Sequence, residues 1–178
     1  MLVLSLFCFS GSLLVTQKFP SYFPEPVYAL DSVSQEQILL GRALFYDPIL
    51  SSDNTISCAS CHSPYNAFAH TDHDLSHGIN DEIGTRNAPA LFNLAWQKNL
   101  MWDGASNHLD VQALAPITHP GEMNESIGNI VEKLRLKSGY AKLFSKAYGN
   151  NEITSKRILK ALTAFQLTLI SANAKYDR

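Results

Sequence analysis

The sequence predicts an all-α fold with long loops. Apolar residues recur at helical spacing near both ends of the chain, and no alternating run competes as a strand. Between them, residues 51–108 are rich in Ser, Asn, Asp, His and Gly and show little periodicity. A loop region of that length is uncommon in a compact domain unless something other than side chains organises it.

The elements follow in order. Residues Leu2 to Thr16 carry no charged side chain and Lys18 is the first, which fits the apolar region of a secretory signal better than a membrane helix. Residues 1–29 therefore read as a signal peptide or N-terminal anchor, with Val27-Tyr28-Ala29 as a small-x-small cleavage site and Cys8 as part of that segment. Phe19 to Ser32, with Pro20, Pro24 and Pro26, reads as an extended linker. Ser34 and Gln37 then form an N-cap pattern ahead of Ile38, Leu39, Ala43 and Leu44 at helical spacing, and Asp47-Pro48 stops that helix. After the loops, Ser126 to Leu136 places Ile127, Ile130, Val131 and Leu134 on one face. Gly139 to Tyr148 forms a second helix closed by Gly149. Thr154 caps a last helix whose buried stripe is Ile158, Leu159, Leu162, Phe165, Leu169 and Ile170.

At 178 residues the chain suits one domain of roughly 100–150 residues plus an extra segment. The net charge of -2 argues against a nucleic-acid partner, which calls for a basic stripe. A hydrophobic content of 46% with 17% charged residues excludes wholesale disorder and a multi-span membrane protein.

The chemistry concentrates at Cys58-Ala-Ser-Cys61-His62, the attachment pattern for c-type haem. Two thiols one helical turn apart each add to a porphyrin vinyl group, and the adjacent His62 is then held beneath the iron as axial ligand. Covalent haem c also explains how a loop-rich segment stays folded, because the macrocycle becomes its core, and it agrees with export. A thioredoxin-like redox pair calls for a surrounding βαβ pattern, which is absent. Zinc could use Cys58, Cys61 and one of His70, His73 or His77, but no second Cys pair exists. A plain disulfide across two residues gains little entropy.

From Leu40 onwards the sequence resembles the N-terminal half of the bacterial di-haem cytochrome c peroxidases, including their MauG branch. The resemblance rests on Leu40-Gly-Arg-Ala-Leu-Phe-Tyr-Asp-Pro48, Ile56-Ser-Cys-Ala-Ser-Cys-His62, Arg86-Asn-Ala-Pro89, Trp102-Asp-Gly104, and Pro116 through Glu122-Met123. It implies a cytochrome c-like haem domain over residues 30–178, with the helices packed around a covalently attached haem. It implies His62 as ligand of the peroxide-reacting haem iron, Glu122 as the distal-pocket acid and Gln112 as the glutamine beside it. Trp102 matches a tryptophan electron relay between two haems, and Asn87 a ligand or support for calcium. For Glu122 the chemistry agrees: heterolysis of a peroxide needs a group that takes one proton and returns it to the departing oxygen, and a carboxylate does both.

The sequence departs from the family in three places. The resemblance implies a second haem domain, whereas Tyr176-Asp177-Arg178 coincides with the family's interdomain linker, so a fragment of a di-haem enzyme is expected over a mono-haem protein. Ile79 stands where many members hold a distal histidine, with His77 two residues early. The sixth position is then open, or filled by His70, His73 or His77, or by Met101 or Met123 in an ordinary electron carrier. Ala105 replaces the usual arginine after Trp-Asp-Gly, removing an ion pair or a haem-propionate partner. The expected function is periplasmic reduction of hydrogen peroxide with electrons from a small cytochrome c or copper protein. The alternatives are a mono-haem electron-transfer module and a MauG-like protein oxidase.

Overall fold

The computed structural model describes residues 19–28, 33–72 and 74–177. The signal or anchor segment falls mostly outside them, as do Cys8, Ala29 and His73. Seven α-helices appear among the described residues: α1 (Gln35–Tyr46), α2 (Cys58–Cys61), α3 (Leu109–Gln112), α4 (Leu114–Thr118), α5 (Ile127–Arg135), α6 (Ser138–Tyr148) and α7 (Ser155–Gln166). No strand is present among these residues. Three isolated bridges instead close three loops, Ser63 to Ala69, His77 to Ile83 and Leu100 to Ser106.

Helix α1 starts where the local chemistry dictates. The Gln37 amide donates to the Ser34 hydroxyl (3.2 Å) and the Ser34 amide to the Gln37 side-chain oxygen (3.1 Å), a complete capping box. At its other end Asp47 accepts from the Ile49 amide (2.9 Å), which starts a short 3-10 turn at Pro48–Leu50, and Tyr140 of α6 donates to the same carboxylate (2.7 Å). Helix α1 packs against α7, and the approach is closest at Gly41: a Cβ there would lie 1.8 Å from the Ala161 carbonyl oxygen. Ser126 and Thr154 cap α5 and α7 through their hydroxyls, and Gly149 closes α6 at φ +78°, a left-handed conformation that favours glycine.

Helix α7 ends earlier than the periodicity suggests. Leu169 is buried as expected, but Leu169 and Ile170 lie beyond the helix because Asn93 captures the chain there. The Asn93 amide donates to the Leu169 carbonyl (2.9 Å), and its side chain exchanges two bonds with the Ser171 backbone. The stretch read as a linker is also docked. Phe19 and Phe23 meet the Trp96 ring edge-on, the Trp96 indole donates to the Pro24 carbonyl (2.6 Å), and the Val27 amide donates to Ala95 (2.7 Å). Phe45 of α1, Phe165 of α7, Phe68 and Phe92 form one chain of ring contacts that carries the helical core into the loops.

Candidate functional site

Helix α2 is the single turn that carries Cys58 and Cys61. The Ser57 amide donates to the Ser60 hydroxyl (3.1 Å), and the His62 amide closes the turn on the Cys58 carbonyl (2.9 Å). Both thiols are free. Burial pushes Cys58 up to about 12. Burial also raises Cys61, against a bond from Ser76. Neither is a thiolate near neutral pH, so the pair lacks the low pKa of a redox-active Cys-x-x-Cys. Among the described residues, which do not include His73, no three Cys, His, Asp or Glu side chains converge to hold an ion.

His62 follows as the cap of α2. The 63–69 loop folds back through the Phe68 amide to the Ser63 carbonyl (2.8 Å), with Ala67 and Phe68 both at positive φ, and this puts the Phe68 carbonyl 3.0 Å from His62 Nδ1. A carbonyl only accepts, so Nδ1 carries the proton and Nε2 keeps its lone pair, the form a metal ligand requires. Burial holds His62 below its ordinary value, opposed by the Phe68 and Pro89 carbonyls and aided by His70. The buried Ser76 hydroxyl finds no oxygen or nitrogen partner beside Cys61. Two thiols one turn apart and a neutral histidine with an oriented ring together fit a covalent haem.

Glu122 lies on a turn that the 77–83 loop clamps. The Ile79 amide donates to the Glu122 carbonyl (2.8 Å) and the Glu122 amide to the His119 carbonyl (3.0 Å). A Cβ at Gly78 would lie 2.1 Å from the Gly121 oxygen and 2.7 Å from Glu122 Cα, so only glycine permits this approach. The Glu122 carboxylate is half exposed and bears electrostatically on Cys61.

The other expected residues fall as follows. His77 turns to Asp81 (2.5 Å) while its carbonyl lies near the Cys61 sulfur, and Ile79 beside it is buried. Met123 is buried in the hydrophobic core. Gln112, on α3, directs its amide to the Met101 sulfur (3.1 Å). Trp102 is 63% exposed and donates to the Asn87 carbonyl (2.6 Å), and the Asn87 amide donates to Asp74 (3.0 Å). Beside Ala105, Arg86 pairs with Asp103 (2.8 Å) and holds that carboxyl below its ordinary value.

Three contributors escaped the sequence reading. Lys133 of α5 donates to the Ser51 carbonyl (2.6 Å) and pairs with Glu125 (2.6 Å), tying the segment ahead of Cys58 to the Glu122 turn. Its partners lie eight and more residues away, beyond any helical spacing rule. His119 and Gly78 were open to detection only as neighbours of Glu122 and His77.

A sequence model described as di-haem cytochrome c peroxidase matches residues 35–178. The chain is 39% identical over 166 residues to methylamine utilization protein MauG of Methylorubrum extorquens, covering 89% of this chain and 44% of that one. It is 35% identical over 156 residues to cytochrome c551 peroxidase of Nitrosomonas europaea, covering 86% and 46%. A solved MauG-like protein associated with microbial copper homeostasis superimposes with a TM-score of 0.82 at 34% identity, over 92% of this chain and 49% of that chain. The chain thus spans about half the length of the relatives it matches.

Proposed function

The chain belongs to the di-haem cytochrome c peroxidase family, and from that membership we propose that it forms the haem domain at which hydrogen peroxide is reduced. Membership implies haem c. Cys58 and Cys61 would hold it through thioethers and His62 Nε2 would bind its iron. The bound haem supplies the two-electron reduction that breaks the O–O bond.

The observation that carries the reading is the clamped Glu122 turn beside Cys61. Fixed by Ile79 and His119, the Glu122 carboxylate takes a proton from one peroxide oxygen and returns it to the other as water leaves. Gln112 is assigned the hydrogen bond that orients the peroxide, which requires its amide to leave Met101. Trp102, exposed and held by the Asn87 carbonyl, is assigned the electron path from a second haem domain, supplied in turn by a small cytochrome c or copper protein. Asn87 is assigned to a calcium site at that junction. Export to the periplasm fits covalent haem attachment, and no helix among the described residues is long and apolar enough to cross a membrane.

The test is the absorption spectrum of the chain, matured in a host that attaches c-type haem, before and after peroxide. A covalent haem whose spectrum responds to peroxide, with the response slowed at least about a hundredfold in Glu122→Gln, supports the assignment. A six-coordinate low-spin haem indifferent to peroxide would move the function to electron transfer. A second reading, oxidation of a protein side chain, draws on the similarity to MauG and on Ile79, buried where many members hold a distal histidine.

A further inference from the structure

We propose that His119 carries protons between solvent and Glu122 during peroxide reduction. The inference rests on the assignment of Glu122 as the distal acid. Reducing one hydrogen peroxide to two waters consumes two electrons and two protons. The electrons come from the redox donor through the haem, and the protons from solvent. A carboxylate that shuttles the peroxide's own proton from one oxygen to the other does not supply these two, which must reach it from solvent.

The geometry supplies a route. His119 Nδ1 lies 3.8 Å from Glu122 Oε1, and its ring is 59% exposed to solvent. The Gly121 amide donates to the same Nδ1 (3.2 Å), so in this state the ring is neutral with its proton on Nε2. The His119 carbonyl meanwhile accepts from the Glu122 and Asn124 amides (3.0 Å each), so one residue sets the turn and faces the carboxylate. When solvent protonates Nδ1, the Gly121 bond is lost and the new N–H has Glu122 as its acceptor. Delivery to Oε1 leaves the Nδ1 lone pair free to accept from Gly121 again. The Nε2 proton stays in place throughout, and each cycle moves one proton from solvent to the carboxylate. The charged group facing the ring is Glu122 on its own turn, and the nearest titratable residue of the neighbouring loop is Glu82, whose Cβ lies 3.9 Å from where a Gly121 Cβ would stand. A small move of the ring closes the 3.8 Å separation to hydrogen-bond length.

Two variants of the matured chain separate proton transfer from support of the turn. His119→Gln keeps an acceptor for the Gly121 amide but carries no proton, whereas His119→Ala loses both. With a small one-electron reductant present, both are expected to slow the return of the peroxide-treated haem to its starting spectrum about five- to tenfold at pH 7, because that stage consumes the two solvent protons. The deficit should shrink as the concentration of a small acid buffer such as acetic acid rises, which a purely structural role would not produce. Independently of turnover, the Gly121 amide resonance in wild type should move on acidification as its Nδ1 acceptor takes up a proton, and His119→Gln should abolish that movement. Full rate in His119→Gln, or a wild-type Gly121 amide indifferent to acidification, overturns the proposal. A Glu122→Gln variant that reacts at the wild-type rate instead overturns the assignment beneath it.

Discussion

Helices α1, α5, α6 and α7 pair most of their backbone groups within themselves, whereas the loops between residues 51 and 125 pair theirs with one another and with side chains. All the non-glycine residues at positive φ among the described residues fall between Asn54 and Asn124. Each such residue costs about 1 kcal/mol. The helical part buries Phe45, Phe144, Ile158 and Leu162 against one another. The loop part is closed by three isolated bridges and a few long-range bonds to polar groups. The helical half is thus held mainly by apolar burial along its helices, whereas the loop half joins the same core through Leu91, Leu94, Leu100, Leu109 and Met123 and adds short bridges and directional bonds of its own. A haem held by Cys58, Cys61 and His62, as proposed, would add a further apolar body to the second half.

The comparison breaks most severely at Gly41. Replacing it with Val forces a side chain into the Ala161 backbone and should cost more than about 3 kcal/mol, because backbone does not yield as a side chain does. Helical circular dichroism and haem attachment are expected to fail together. An intact loop half would show that the two parts fold independently.

Lys133→Met tests the bond between the halves. Removing the cation leaves Glu125 buried without its partner and should cost about 2–3 kcal/mol at pH 7, less than for a fully enclosed pair because Lys133 keeps some solvent contact. Burial raises the Glu125 pKa, but the bonds from Lys133, Ser126 and Asn129 outweigh it and hold the group below its ordinary value. A depressed folded-state value means that this stabilisation is present above the ordinary carboxylate range and is lost as pH falls through the folded value. The stability gap between variant and wild type, measured by urea unfolding across pH 3–7, should therefore narrow in acid.

Gly78→Ala acts on the loop half alone. The added Cβ displaces the Glu122 turn, so the peroxide response should slow about ten- to a hundredfold while the helices lose little signal. Equal loss of both would mean that Gly78 supports the fold in general. The smallest effect is expected at Ser34→Ala, where losing the cap of α1 costs about 1 kcal/mol and lowers Tm by about 2–4 °C. The peroxide response should be unchanged, which marks the helical half as support for the chemistry and no part of it.

How much was legible follows the same division. The capping box at Ser34, the stop at Asp47, the glycine at the end of α6 and the buried faces of α5 and α7 all agree with the sequence reading. The early end of α7 and the docking of residues 19–28 against Trp96 do not, because Asn93 and Trp96 act on them from distant positions.

For the candidate site, the haem-attachment motif and the family segments were readable from residue types alone. The turning of His77 to Asp81, the bond from Gln112 to Met101 and the pairing of Arg86 with Asp103 were not. By itself, then, the sequence determined the helices, their caps and the haem-attachment motif, because these depend on residues within about four positions of one another. Only the tertiary structure decided which amide meets Glu122, which carbonyl orients His62 and which cation joins the two halves. Those bonds run largely to backbone N–H and C=O groups, which nearly every residue carries and which leave no mark in a sequence.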